Sequence, residues 1–209
     1  GVKSLLNKKN GIFVTESHYA VNILNEMQFD SIYHEHLRFY LLKPLILLLK
    51  KYGFNVIDAV KIPNYAGSIR VTATLNNKMK QKKSVLKILE EEKKNGFYNY
   101  KIYEQYGKKV EKIKNDLNKM LWKLKLKKNK IVGVGCPGRC ITLLAYCNIT
   151  TQLIDYVAEQ SSSLKLNMYT PTTHIKVLDE INMIKKQPDY ALVLSWHYGK
   201  NVMKNLRKK

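Results

Sequence analysis

Apolar residues alternate with polar ones along some stretches of the chain and recur every three or four residues along others. Val2 to Leu6 reads as the end of a helix, and Gly11 then opens a short apolar strand, Ile12 to Val14, closing in Thr15 and Glu16. Leu42 to Tyr52 predicts a helix, with Pro44 near its first turn and Gly53 just past its end. Val56, Asp58, Val60 and Ile62 mark a strand over Asn55 to Ile62. Pro63 and Gly67 mark a loop, and Ser68 to Leu75 is a second strand with Ile69, Val71 and Ala73 on one face. Strands this close in sequence favour an antiparallel pair.

From residue 76 to 129 the chain is dense in Lys, Glu and Asn. Val85, Leu86, Ile88 and Leu89 give an amphipathic helix that Gly96 breaks. Tyr106, Val110, Ile113, Leu117, Met120 and Leu124 then form one stripe of a long helix whose lysines lie on the solvated face. Lys130 restarts a compact pattern: strand Ile131–Val134, a glycine turn, a helix through Leu144 and Tyr146, strand Leu153–Val157, and later strand Tyr190–Ser195. Strands alternating with helical patterns imply a parallel sheet covered by helices, so the fold class is α/β. An opening in the last turn of a helix that feeds straight into an apolar strand reads as the downstream part of something longer.

Charge alters this picture less than its size suggests. The chain has 209 residues, with 37 Lys+Arg against 16 Asp+Glu, a formal net charge of +21. Such a surplus raises nucleic acid or an anionic membrane as partners. Nearly all the cations are Lys, however, with Arg only at 38, 70, 139 and 207. Arg is the residue for two-pronged phosphate and base contacts. The surplus therefore reads as composition, and neither a membrane nor a specific nucleic acid is expected as partner. No apolar run reaches the ~18 residues of a membrane span. Three cysteines, an odd number, speak against a disulfide framework and for a reducing compartment, the cytoplasm.

Two stretches carry candidate chemistry. Gly133-Val134-Gly135-Cys136-Pro137-Gly138 fits G-x-G-x-x-G between a strand and a helix, with Asp155 at the end of the next strand as a candidate ribose-binding acid. On spacing alone the turn is either a nicotinamide-dinucleotide site of an oxidoreductase or a tight turn with no ligand. Cys136, Cys140 and Cys147 have C-x3-C-x6-C spacing, which matches no common zinc or cluster motif, so no metal is expected. The second stretch is Phe29 to His36, with Tyr33, His34, Glu35 and His36 in succession. On an extended segment His34 and His36 would share a side and Glu35 would oppose them. Proton transfer, a two-histidine metal site and a polar surface turn all fit this spacing.

Several blocks in order add a more specific reading, with the nicotinamide-dependent oxidoreductase kept as its alternative. "FDSIYHEHLRFYLLKPL", "IPNYAGSIRVTA", "IVGVGCPGRCITLLAYC", "LIDYVAEQ", "YTPTTHIKVL" and "PDYALVLSWHYG" resemble the sugar C-methyltransferase family. Members act on nucleotide-linked 4-keto deoxysugars with S-adenosylmethionine. The resemblance runs from about Leu5 to Val202 and covers the second half of the family's central domain plus its C-terminal domain. It implies a partial class I methyltransferase sheet over residues 1–76, a helical connector over 77–129 and a Rossmann-like domain over 130–209. Gly11–Glu16 would be the fifth strand of that sheet, and Asn55–Ile62 with Ser68–Leu75 its terminal antiparallel pair. The family's zinc cysteines and glycine-rich adenosylmethionine loop have no counterpart here, which implies a fragment, or one half of a split enzyme whose partner chain carries the upstream part.

The implied reaction begins at a carbon next to a sugar ketone: a base removes its proton and the enolate attacks the sulfonium methyl. The resemblance makes His36 that base, with Tyr33 and Glu35 positioning it or holding the keto oxygen. Ser68 and Arg70, in the family's G-G-S-L-R pattern, become candidate substrate contacts. Gly135, Pro137 and Arg139, in a loop that is A-P-A-K-G in the family, would help to close a pocket over the sugar nucleotide. Here that loop reads Cys136-Pro137-Gly138-Arg139-Cys140, Ala66 replaces the first glycine of G-G-S, and Leu41 stands where a small polar residue is common. The non-enzymatic alternative is a basic remnant of such an enzyme.

Overall fold

The computed structural model describes residues 1–63 and 66–208. The chain forms two compact units, the first made of Gly1–Gln28 with His36–Gly107, the second of Phe29–Glu35 with the chain from Lys108 onward.

The first unit is built on a three-stranded antiparallel sheet of β1 (Ile12–His18), β2 (Asn55–Ile62) and β3 (Ser68–Thr74) in the order β1-β3-β2. β1 outruns its expected end at Glu16, because its ladder with β3 continues until His18 faces Ser68. The β2–β3 register shifts between Val56 and Asp58, a bulge that puts both Val56 and Ile57 in the buried set. Helices α1 (Val2–Leu5), α2 (Ala20–Asn25), α3 (Leu42–Lys51), α4 (Lys83–Lys94) and the start of α5 (Tyr100–Leu126) complete the unit. Leu42, Leu45 and Leu49, one helical face of α3, join Val85 and Ile88 of α4 and Ile69, Val71 and Ala73 of β3 in a single core. In the loop before β3, Asn64 and Tyr65 lie outside the described residues.

The second unit is a Rossmann-like α/β layer with a four-stranded, fully parallel sheet. Its strands are β4 (Ile131–Val134), β5 (Val157–Glu159), β6 (Val177–Asp179) and β7 (Tyr190–Val193), in the order β6-β5-β4-β7. Helix α6 (Gly138–Tyr146) follows β4, α7 (Glu180–Lys186) follows β6 and α8 (Gly199–Leu206) comes after β7, and most of α5 belongs here. Two expectations need correction. Leu153 and Ile154 are buried but not extended: both their amides bond to the Thr150 carbonyl, so this apolar pair closes a turn and the strand begins only at Val157. On α5 Met120 is half-exposed and Leu121 takes the buried place, because the true helical repeat drifts off a strict three-four alternation.

Candidate functional site

The Tyr33–His36 motif sits in a turn after a short 3-10 helix, Phe29–Ser31, and not on the extended segment expected. His34 and His36 therefore do not share a strand side. Tyr33 packs with the second unit, where its hydroxyl donates to Glu35 Oε2 at 3.2 Å and its ring meets His34 edge-on at 5.8 Å. Partial burial and the Glu35 carboxylate raise the Tyr33 phenol above the ordinary tyrosine range, and the Arg139 cation opposes them.

His36 belongs to the first unit. Its ring stacks parallel to Phe39 at 6.0 Å and meets His18 at 5.6 Å. The His18 Nε2 lies 3.2 Å from Gln28 Oε1, and the wholly buried Gln28 amide donates to the Ala66 carbonyl at 2.8 Å. A chain of polar side chains thus links the imidazole region to the backbone just before β3. His18 and Gln28 were not singled out from the sequence. The available signal was period two: β1 puts Glu16 and His18 on one face, opposite Arg70 and Ser68 of β3.

Ser68 and Arg70 converge on Glu16. The Ser68 hydroxyl and Arg70 Nε donate to its two oxygens, the latter at 2.9 Å. Those donors, Ser68 first and Arg70 next, hold the Glu16 carboxyl below its usual range. Ser68 is buried while Arg70 stays at the surface, so the pair presents one hidden hydroxyl and one exposed cation.

In the second unit, Gly135 and Pro137 line a pocket of about 400 Å³ at the carboxyl ends of β4, β5 and β7. In an open α/β sheet this is where ligands bind. Cys136, Glu159, Lys165 and Ser195 line it as well. Gly135 has φ +80, and a Cβ there would meet the Ser195 Oγ at 2.7 Å, so the close approach of these two loops requires glycine. Lys165, the pocket's cation, donates to the Cys136 carbonyl at 2.5 Å, and the Glu159 carboxylate accepts from the Cys136 amide at 2.5 Å. Asp155 is corrected as the ribose acid: it precedes β5, pairs with Lys125 at 2.6 Å, and leaves Glu159 at the strand end. That carboxylate already takes an amide that a dinucleotide diphosphate would need.

Arg139 is not among the residues lining this pocket. It is buried on α6 and bonds to the wholly buried Asp30 through Nε at 3.0 Å and Nη2 at 2.7 Å. The three cysteines are buried and unbridged, Cys140 Sγ lying 3.7 Å from Cys136 Sγ, and burial pushes the Cys147 thiol up to about 11. Among the described residues no three His, Cys, Asp or Glu side chains group as a metal site, and no helix is long and apolar enough to cross a membrane.

The second unit is thus a parallel sheet with a pocket at the carboxyl ends of its strands. Residues 63–209 match the C-methyltransferase C-terminal domain, and the chain belongs to that family. The C-methyltransferase NovU of Streptomyces niveus is 27% identical over 206 residues, which is 98% of this chain and 49% of the relative. The chain spans about half the length of the curated relative it matches.

Proposed function

We propose that the chain is the downstream part of an S-adenosylmethionine-dependent sugar C-methyltransferase acting on a nucleotide-linked keto sugar. The observation that carries this reading is the Tyr33–His36 turn, in a chain of the C-methyltransferase family, with the His36 imidazole set among His18, Phe39 and, through His18, Gln28. His36 removes the proton from the carbon beside the ketone. That carbon is acidic enough because the carbonyl takes up the charge as an enolate. The Tyr33 hydroxyl, which donates its one proton to Glu35 when no substrate is bound, turns that proton to the developing oxyanion. Ser68 and Arg70 contact the sugar, and the pocket at Gly135 and Pro137 takes the nucleotide portion, with Lys165 as its cation.

The methyl donor is a co-substrate that these residues do not fit. Among the described residues the one glycine-rich strand-to-helix turn is Gly133–Gly138, and the Cys136 amide there is occupied by Glu159. On this reading the donor is bound by an upstream half, carried by a partner chain or by the same longer protein. The free edge of β1, at the end of the β1-β3-β2 sheet with Ile12 and Val14 exposed, supports such a neighbour.

Proton abstraction can be measured without the donor. The chain is incubated with a nucleotide-linked 4-keto deoxysugar in deuterated water, and exchange at the carbons flanking the ketone is followed by NMR. His36→Ala is expected to lower the exchange rate by about 10²–10⁴-fold. Exchange surviving in a folded His36→Ala chain would overturn the base assignment. Methyl transfer on adding the upstream half tests the remainder.

A further inference from the structure

The segment that carries Tyr33 and Glu35 is fastened to the second unit through one carboxylate. Asp30 is wholly buried and accepts three hydrogen bonds: two from Arg139 and one from Trp196 Nε1, at 2.9 Å on Oδ2. The Arg139 guanidinium also lies 5.6 Å from the centre of the Trp196 ring. A two-pronged guanidinium–carboxylate pair fixes angle as well as distance, which a single ammonium contact does not. A buried ion pair is poor as a net stabiliser, because desolvation offsets most of the attraction. Its effect here is to hold a geometry.

One face of α6 repeats the theme. Arg139, Thr142 and Tyr146 follow one another at spacings of three and four, Gly138 precedes them at the helix start, and each touches the same segment. The Thr142 hydroxyl donates to the Ile32 carbonyl at 3.3 Å, and the Tyr146 ring packs on Phe29 at 5.4 Å. Tyr33 lies so close to Gly138 that a Cβ there would sit 3.2 Å from its Cε2. The turn itself is short, and His34 and Glu35 in it are exposed.

We propose that Asp30, Arg139 and Trp196 form a latch that seats the Tyr33–Glu35 turn on α6, with Gly138 leaving room for the Tyr33 ring. These four are positioning residues for the proton transfer. The functional half of the inference rests on the reading proposed above; the structural half does not. Arg139, expected from the sequence to contact substrate, acts instead through Asp30. Misplacing a reacting group by about an ångström can cost about 10²-fold in rate, so a latch remote from the sugar matters to turnover.

The test uses the whole chain labelled with 3-fluorotyrosine, whose Tyr33 fluorine resonance is identified by its loss in Tyr33→Phe. Asp30→Asn and Arg139→Lys each keep size or charge while breaking the two-pronged pair. Both are expected to shift or broaden the Tyr33 line and to leave the Tyr19 and Tyr98 lines in place. Gly138→Ala is expected to shift the same line through direct contact. If Asp30→Asn does not fold, Arg139→Lys and Trp196→Phe decide. A Tyr33 line unmoved in the folded latch variants overturns the latch.

The second readout is the proton exchange described above. Folded Arg139→Lys should lose about ten- to a hundredfold in kcat with KM nearly unchanged. A role in fold stability alone would leave kcat per folded molecule intact, and that result would overturn the positioning role. If His36→Ala leaves exchange unchanged while the latch variants still move the fluorine line, the proton-transfer reading fails and the latch stands.

Discussion

Glu92 in the first unit and Asp30 in the second are both shut away from water, yet they are satisfied by opposite means. Among the described residues Glu92 forms no ion pair. It accepts from the Tyr19 hydroxyl at 2.9 Å, the Tyr98 hydroxyl at 2.6 Å and the Leu42 and Lys43 amides at 2.6 and 3.3 Å. Those amides open α3, so a carboxylate from α4 caps a helix 50 residues earlier, where helix N-termini favour negative charge. Asp30 is matched instead by Arg139 and Trp196. The first arrangement spreads one charge over four neutral donors and ties α3, α4 and the end of β1 together. The second concentrates it on one cation and fixes a single loop. Removing one partner should therefore cost far more in the second unit than in the first.

The largest effect is expected at Arg139. Arg139→Met leaves Asp30 buried beside a single indole N–H, and breaking a buried pair in this way typically costs about 3–5 kcal/mol. Both tryptophans, Trp122 and Trp196, lie in the second unit, so urea unfolding followed by tryptophan fluorescence reports the loss there directly. A change under about 1 kcal/mol would mean that water reaches Asp30, and the contrast between the units would fail.

Next in size is Glu92→Gln. The amide keeps one acceptor oxygen where four donors converge and brings two donors of its own. The expected loss is about 1–3 kcal/mol, for the groups left unsatisfied. Hydrogen exchange of the α3 amides at Leu42 and Lys43 is the local measurement. Tyr98→Phe should cost less, since Tyr98 is partly exposed and Glu92 retains three donors. Equal losses in the two variants would argue against a shared network.

These two carboxylates show how much the sequence could say. The elements around Glu92 were legible: the helix from Leu42, the strands at Asn55–Ile62 and Ser68 onward, and the helix at Val85–Leu89 follow from local periodicity. Its role was not, because a cap supplied from 50 residues away leaves no local signature; the only hint was an apolar Leu41 at the N-cap. Asp30 lay inside the stretch singled out for chemistry, but its partners are 109 and 166 residues distant. The short strand Val177–Asp179 was missed since three residues cannot show a period, and Leu153–Ile154 was misread since burial without alternation does not distinguish a turn from a strand. The Tyr33, Glu35 and His36 assignments came from resemblance, and the spacing alone had put the two histidines on one side of a strand that does not form.

Glu16 is an intermediate case, a surface carboxylate held by Ser68 and Arg70. Its folded-state pKa lies below the ordinary 4.5, so it favours the folded state fully above about that pH, and the contribution is lost as pH falls through the lowered value. Asp58, held low by Lys82 and then Ser84, acts in the same direction from 3.8 downward. Melting temperature should therefore fall on acidification below pH 4.5, and Ser68→Ala should shrink that fall by lowering the melting temperature at pH 7 while changing it little once Glu16 is protonated. An acid limb identical in the variant and the parent would remove Ser68 as the main cause. Added salt should weaken the Arg70 part more than the Ser68 part, since screening acts on exposed charge.

The smallest effect lies where the His18–Gln28 chain meets the backbone. Ala66 has φ 64, a left-handed conformation that costs an L-residue roughly 1–2 kcal/mol. Its carbonyl is nevertheless fixed by the Gln28 amide, and Gly67 beside it packs so tightly that a Cβ would meet Asn22 at 2.3 Å. The neighbouring contacts thus hold Ala66 in a conformation it would not choose. Ala66→Gly relieves the strain but loosens the unfolded chain by roughly 0.5–1 kcal/mol, so the net gain should be about 0.5 kcal/mol. Thermal unfolding resolves a shift of that size. Destabilisation on going to glycine would show that the alanine methyl packs usefully against its neighbours, and that its conformation carries no strain to release.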